Sequence, residues 1–180
     1  MSQTKAQKQT VNTVFTYLAL ICAVLLLGLS GVAMWANRFT GDMVRNELAA
    51  QKIFFPEKGS PALDPAVYPD LQKYAGQQVD TPEEAHAYAN GYIGRHLKKV
   101  ADGKVYSEIS TLAIKDPTNQ KLQQQKQTLF QGETLRGILL TSGYGFGTIG
   151  KIAGIVTYLA LAGSALLFVT AGLLHFKRRS

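Results

Sequence analysis

The sequence predicts a mainly α-helical membrane protein, with two transmembrane helices flanking a small, mostly helical extracytoplasmic domain. Three observations carry that expectation. Two stretches, Thr13–Ala36 and Ile152–Leu174, hold no charged residue. All 12 acids lie between Asp42 and Glu133, whereas the flanks beyond the two apolar stretches are purely basic. Between the stretches, apolar residues recur at helical spacing behind recognisable caps. The 180 residues are 46% hydrophobic and only 17% charged, yet mean hydropathy is zero, so the apolar residues must be concentrated.

The elements follow in chain order. Residues 1–12 form a short N-terminal tail with Lys5 and Lys8. The first apolar stretch, 13–36, makes a helix about 36 Å long, enough for a hydrocarbon core of about 30 Å. Trp35 closes it, where an indole keeps its ring among headgroups and its N–H wet. A cleaved signal peptide is the competing reading. Its apolar core is usually about 7–15 residues, and here the best cleavage site, Gly31-Val32-Ala33, falls inside the run, so the helix is expected to be kept. Cys22 is the single cysteine, which leaves no intramolecular disulfide and makes a packing role the expectation.

Residues 37–140 are expected to fold outside the membrane. Met43, Val44, Glu47 and Leu48 extend a helical spacing through 38–50. Ile53-Phe54-Phe55-Pro56 reads as an edge strand or extended strap stopped by proline. The loop 59–69 carries Leu63, Val67 and Tyr68, which need burial. Thr81-Pro82-Glu83-Glu84 is a capping-box start, and Ala85, Tyr88, Ala89, Tyr92, Leu97 and Val100 continue it to a stop at Gly103. A shorter helix follows over 106–115. Asp116-Pro117 then opens a Gln-rich helix, whose Leu122, Leu129, Phe130 and Leu135 favour an amphipathic element over disorder. Residues 141–151, with four glycines before the final Lys, predict an interfacial elbow with Tyr144 and Phe146 in the headgroup layer. The second apolar stretch, 152–174, ends in the basic tail 175–180, where Lys177, Arg178 and Arg179 serve as interfacial anchors.

Positive charge in short flanks stays cytoplasmic, so both termini are expected in the cytoplasm and 37–140 outside, in a multi-pass protein of the cell membrane. The net charge of +7 does not point to nucleic acid, because it is split between short tails and a mixed middle of 14 bases and 12 acids. In the first apolar stretch Thr16, Ala19, Ala23, Ser30 and Ala33 share one stripe. In the second, Gly150, Gly154, Thr157, Ala160, Ser164 and Ala171 do the same. Small residues allow close backbone approach, so the stripes predict either an intramolecular pair or docking against a larger membrane complex. Neither stretch holds an acid, a base or a histidine in its interior, which argues against ion conduction.

Catalytic patterns are sparse. Glu83 and His86 share a helix face, but a di-iron bundle needs that pair twice with two further glutamates. His86 and His96 fall about 80° apart on an ideal helix and need not converge. Ser107 and Ser110 near Glu108 lack a nucleophile elbow. Arg95, Lys98, Lys99 and Lys104 form a basic cluster, read as a solvated helix face or as a contact for anionic lipid or an acidic partner. No cofactor, metal or enzymatic activity is expected.

The turn Gly103-Lys104-Val105-Tyr106-Ser107-Glu108, then Asp116-Pro117, then Thr128-Leu129-Phe130-Gln131-Gly132-Glu133-Thr134-Leu135-Arg136, set between two terminal membrane helices, resembles a family of small uncharacterised membrane proteins of actinobacteria. The resemblance covers roughly Pro56–Leu174. Some such proteins carry the label aromatic ring-opening dioxygenase, which no residue pattern here supports. The resemblance implies a membrane protein without assigned chemistry, in a class that includes accessory subunits of respiratory supercomplexes. A non-enzymatic accessory or assembly subunit, in contact with membrane lipid and a membrane protein complex, is therefore the leading expectation. The alternative is an extracytoplasmic ligand-binding or sensor module acting through a membrane partner.

Overall fold

The computed structural model describes residues 4–179, apart from the side chains at positions 5, 178 and 179. The chain is mainly helical, and no strand occurs among the described residues. It divides into two compact units. One combines the residues before Thr40 with those after Thr148, and the other is Thr40–Thr148. Two helical runs, Ala6–Ala50 and Gln120–Lys177, are long and apolar enough to cross a membrane by length and composition.

Helix α1 spans Lys5–Ala50 without interruption. Its hydroxyls are absorbed locally: Thr10, Thr13 and Thr16 donate to the carbonyls of Ala6, Gln9 and Asn12 at 2.7–3.1 Å. The helix ends where Lys52 enters the left-handed region at φ 51°, and the Ala49 carbonyl accepts from both Lys52 N at 3.1 Å and the Gln78 amide at 2.8 Å.

In the Thr40–Thr148 unit, residues 53–56 form an extended strap. Phe55 N donates to Gln77 O and Val79 N to Ile53 O, but the pairing is a single bridge between Phe54 and Gln78. Leu63 and Tyr68 are buried as their loop requires, whereas Val67 is 49% exposed: the turn after Asp64 faces it outward. Helix α2 (Pro82–His86) starts with the full capping box. Glu84 N donates to Thr81 Oγ1 while the Glu84 carboxylate accepts from Thr81 N. It passes through a π-helical turn, Ala87–Ile93, into α3 (Gly94–Val100), which stops at Asp102 and Gly103, both at positive φ.

Helix α4 is Tyr106–Lys115, and α5 is Gln120–Ile138. The α5 start lies beyond the expected Asp116-Pro117. Asn119 is the cap, its side chain accepting from Leu122 N, while Asp116 instead accepts from Thr118 and Asn119. The glutamines of α5 have a structural use. Gln123 donates to Ala113 O and Gln125 to Val100 O, at 2.8 and 2.7 Å, satisfying carbonyls at the ends of α4 and α3. Leu129 is fully buried, but Phe130 is 59% exposed and only leans on the Tyr106 ring. Phe130 points about 100° around the helix from Leu129.

The expected elbow at 141–151 is a correction: the backbone there is helical, a π-helical turn over Leu139–Gly145 running into α6, Phe146–Arg179. Its glycines permit close approach rather than a bend. A methyl at Gly147 would overlap the Pro82 ring, and one at Gly143 would lie 2.8 Å from the Ala85 Cβ. The core of this unit gathers Phe55, Leu63, Leu71, Val79, Ile109, Leu129 and Leu139 around Ala85 and Ala89.

Candidate functional site: a helix pair and a basic groove

Within the first unit, α1 and α6 run antiparallel and the two small-residue stripes face one another. Ala19, Ala23, Ser30 and Ala33 on α1 are buried, as are Gly150, Thr157, Ala160 and Ser164 on α6, with Gly154 half-buried. Ser164 is 1% exposed and donates its hydroxyl to the carbonyl of Ala23, itself 0% exposed, at 2.9 Å. Two further contacts hold the same register. The Asn37 amide donates to Gly150 O at 2.7 Å, and a Cβ on Gly163 would lie 3.2 Å from Leu26. Thr16, Ala23, Ser30 and Asn37 recur every seven residues, as do Gly150, Thr157, Ser164 and Ala171, the repeat that keeps a seam between two supercoiled helices. Asn37 extends the α1 stripe by one heptad. The seven-residue spacing carries that signal, although Asn37 is not a small residue.

Of the two alternatives that the stripes left open, the structure shows the intramolecular pair. The α6 stripe is occupied by α1 of the same chain, so it is not free to receive another protein. The opposite faces carry large exposed apolar side chains, among them Leu25, Leu29 and Val32 on α1 and Ile155, Leu159, Leu166 and Val169 on α6. Trp35 is 64% exposed and stacks on Phe39, ring centroids 5.4 Å apart. Phe146 and Lys177 are also exposed. Tyr144 is exposed on one side and lies against the His86 ring at 4.5 Å. The anchoring role of Arg178 and Arg179 falls on side chains outside the described residues.

The second feature lies in the Thr40–Thr148 unit, where the polar side of α2, its π turn and α3 borders two grooves of about 350 and 410 Å³ that share Asn90 and Arg95. The larger is rimmed by Arg95, Lys98, Lys104, Glu133 and Arg136 over a floor that includes Leu97 and Leu129. Arg136 organises it. Its Nε donates to Ala89 O in the π turn at 3.0 Å, Nη2 to the Asn90 side-chain oxygen at 3.0 Å, and Nη1 to the Glu133 carboxylate at 2.8 Å. Arg95 is held by both oxygens of Asp70 at 2.7 and 2.9 Å and lies 5.8 Å over the Tyr68 ring. The hydrogen bond from Arg95 holds the Asp70 carboxyl below its usual range, and Asp70 in turn raises Arg95.

Of the basic cluster read from the sequence, Arg95, Lys98 and Lys104 come together here, whereas Lys99 lies elsewhere. No local pattern marks Arg136, because its partners Ala89 and Asn90 are more than forty residues away in sequence. His86 borders the smaller groove and His96 a different one, with the π turn between them shifting the helical phase. No group of three metal-ligating side chains occurs among the described residues. Behind the grooves, Tyr68, Tyr92, Tyr88, Phe55 and Tyr74 form a chain of ring contacts at 5.0–5.4 Å, and burial raises the phenol pKa values of Tyr88 and Tyr92.

No family model matches this chain, and comparisons with curated proteins and solved structures likewise find no match.

Proposed function

We propose that the chain is a multi-pass protein of the cell membrane that acts as a non-enzymatic accessory or assembly subunit of a larger membrane complex. The observation that carries this reading is the outward surface of the α1–α6 pair. Its inner faces are filled by each other, and the outer faces remain apolar over some five turns of each helix. Large contiguous apolar surfaces are unusual on soluble monomers, so this one supports lipid or membrane protein as its surroundings. An antiparallel pair that spans the bilayer brings the basic flanks 5–12 and 175–179 to one side. The positive-inside preference makes that side cytoplasmic and leaves Thr40–Thr148 outside. The resemblance to small actinobacterial membrane proteins suggests a respiratory supercomplex as the class of assembly.

Mild-detergent purification with quantitative mass spectrometry tests this function: partners at fixed stoichiometry are expected, and a chain recovered alone would overturn it. A phosphatase fused at Gly59 should be active and one fused after Lys177 inactive. A second reading, an external ligand-binding or sensor module acting through a membrane partner, draws on one observation, the basic groove.

A further inference from the structure

We propose that the groove between α3, the 101–105 turn and α5 is a binding site for a phosphomonoester dianion carried on a small organic body. The inference concerns this groove alone and does not depend on the accessory-subunit reading. Four cations, Arg95, Lys98, Lys104 and Arg136, line one cavity of about 410 Å³. Glu133 is the one acid in the lining; Asp70 pairs with Arg95 from beside it, and the nearby Glu108 carboxylate is engaged with Val105 N at 2.8 Å.

The two arginines are already held. Asp70 grips the guanidinium of Arg95, while Ala89, Asn90 and Glu133 fix that of Arg136, so neither can swing away to relieve the repulsion. Lys98 and Lys104 are the groove's cations without an ion pair, since neither has an acid within 4.0 Å among the described residues. Lys104 is set at the rim by the left-handed pair Asp102 and Gly103, at φ 52° and 81°, with Lys104 N bonded back to Ala101 O. Like charges gathered around one groove repel, and an entering dianion turns that repulsion into attraction. A monocarboxylate would leave one charge unmet, whereas a phosphomonoester near neutral pH carries about two negative charges and three acceptor oxygens. The floor of Leu97 and Leu129 and the volume of the cavity provide for an apolar or neutral body beyond the phosphate.

Such a phosphate can belong to a soluble metabolite or to a lipid headgroup, and one experiment separates them. The full chain in phosphatidylcholine nanodiscs is titrated calorimetrically with sn-glycerol 3-phosphate, and the titration is repeated with phosphatidic acid in the disc. Binding is expected in the first titration, weakening as salt rises. Displacement in the second assigns the phosphate to lipid, and no displacement assigns it to a soluble ligand. Changing Lys98→Gln with Lys104→Gln should weaken binding about tenfold or more, while Lys99→Gln, outside the groove, should leave it within about twofold. Circular dichroism melting checks that all variants remain folded. No binding of glycerol phosphate together with no selectivity for phosphatidic acid, or an equal loss in Lys99→Gln, overturns the proposal.

Discussion

The buried residues of the α1–α6 pair are Ala, Ser, Thr and Gly, whereas those of the Thr40–Thr148 unit include Phe55, Leu63, Leu71, Ile109, Leu129 and Leu139. The second set gains from removing large apolar surface from water, about 25 cal/mol per Å². The first has little such surface to remove. Its stability comes from close backbone packing and from hydrogen bonds to backbone carbonyls, the means available where the surroundings are as apolar as the side chains. The comparison teaches that two helical units of one chain can be held together for different reasons and should fail to different substitutions. Adding bulk breaks the pair, while loss of a hydrogen bond or cap loosens the unit around the groove.

The largest effect is expected from Ser164→Leu. The added bulk has no space against Ala23 and the hydroxyl bond is lost, so the cost is about 3 kcal/mol, the upper range for overpacking. Leu159→Ile on the outward face should leave stability unchanged. SDS-titrated unfolding in mixed micelles measures both, and equal midpoints for the two variants would refute the inward role of the stripe.

Next comes Arg136→Ala, which removes the arm joining α5 to the π turn. Hydrogen bonds with a charged partner contribute about 1.5–3 kcal/mol, so a loss near 2 is expected in urea unfolding of the detergent-solubilised chain. Unfolding that matches wild type would mean that the guanidinium is only a surface group.

Thr81→Ala should cost about 1 kcal/mol through loss of the capping box, with Thr81→Ser close to wild type. If the serine variant is as unstable as the alanine one, the hydroxyl is not the cause.

The smallest effect is the titration of Asp70. Its folded pKa is depressed by Arg95, so the pair stabilises above the unfolded value of about 3.9 and loses that contribution as pH falls through the lower folded value. The pair is exposed, so the contribution stays below about 1 kcal/mol. Asp70→Asn should flatten the stability profile below about pH 4, and a steeper profile in the variant would contradict the sign.

Much of this arrangement follows from rules that act over a few residues. The capping box at Thr81, the helix at 106–115, the stop at Gly103 and the two uncharged helices each depend on neighbours within about one or two turns. The heptad of small residues was equally plain, but a stripe reports only that something comes close, and the identity of its neighbour is a long-range fact. Two complementary stripes on one chain meet at the effective concentration set by their tether, and that favours the intramolecular pair over an external partner. The same limit hid the glycines of 141–151, which look like a bend until Pro82 and Ala85 are seen beside them. It also hid Arg136, whose partners Ala89 and Asn90 are brought to it only by the packing of α5 against the π turn. Periodicity and capping place elements because their energies are local. The tertiary structure chose which faces meet and which charges share a groove, because those energies depend on residues far apart in the chain.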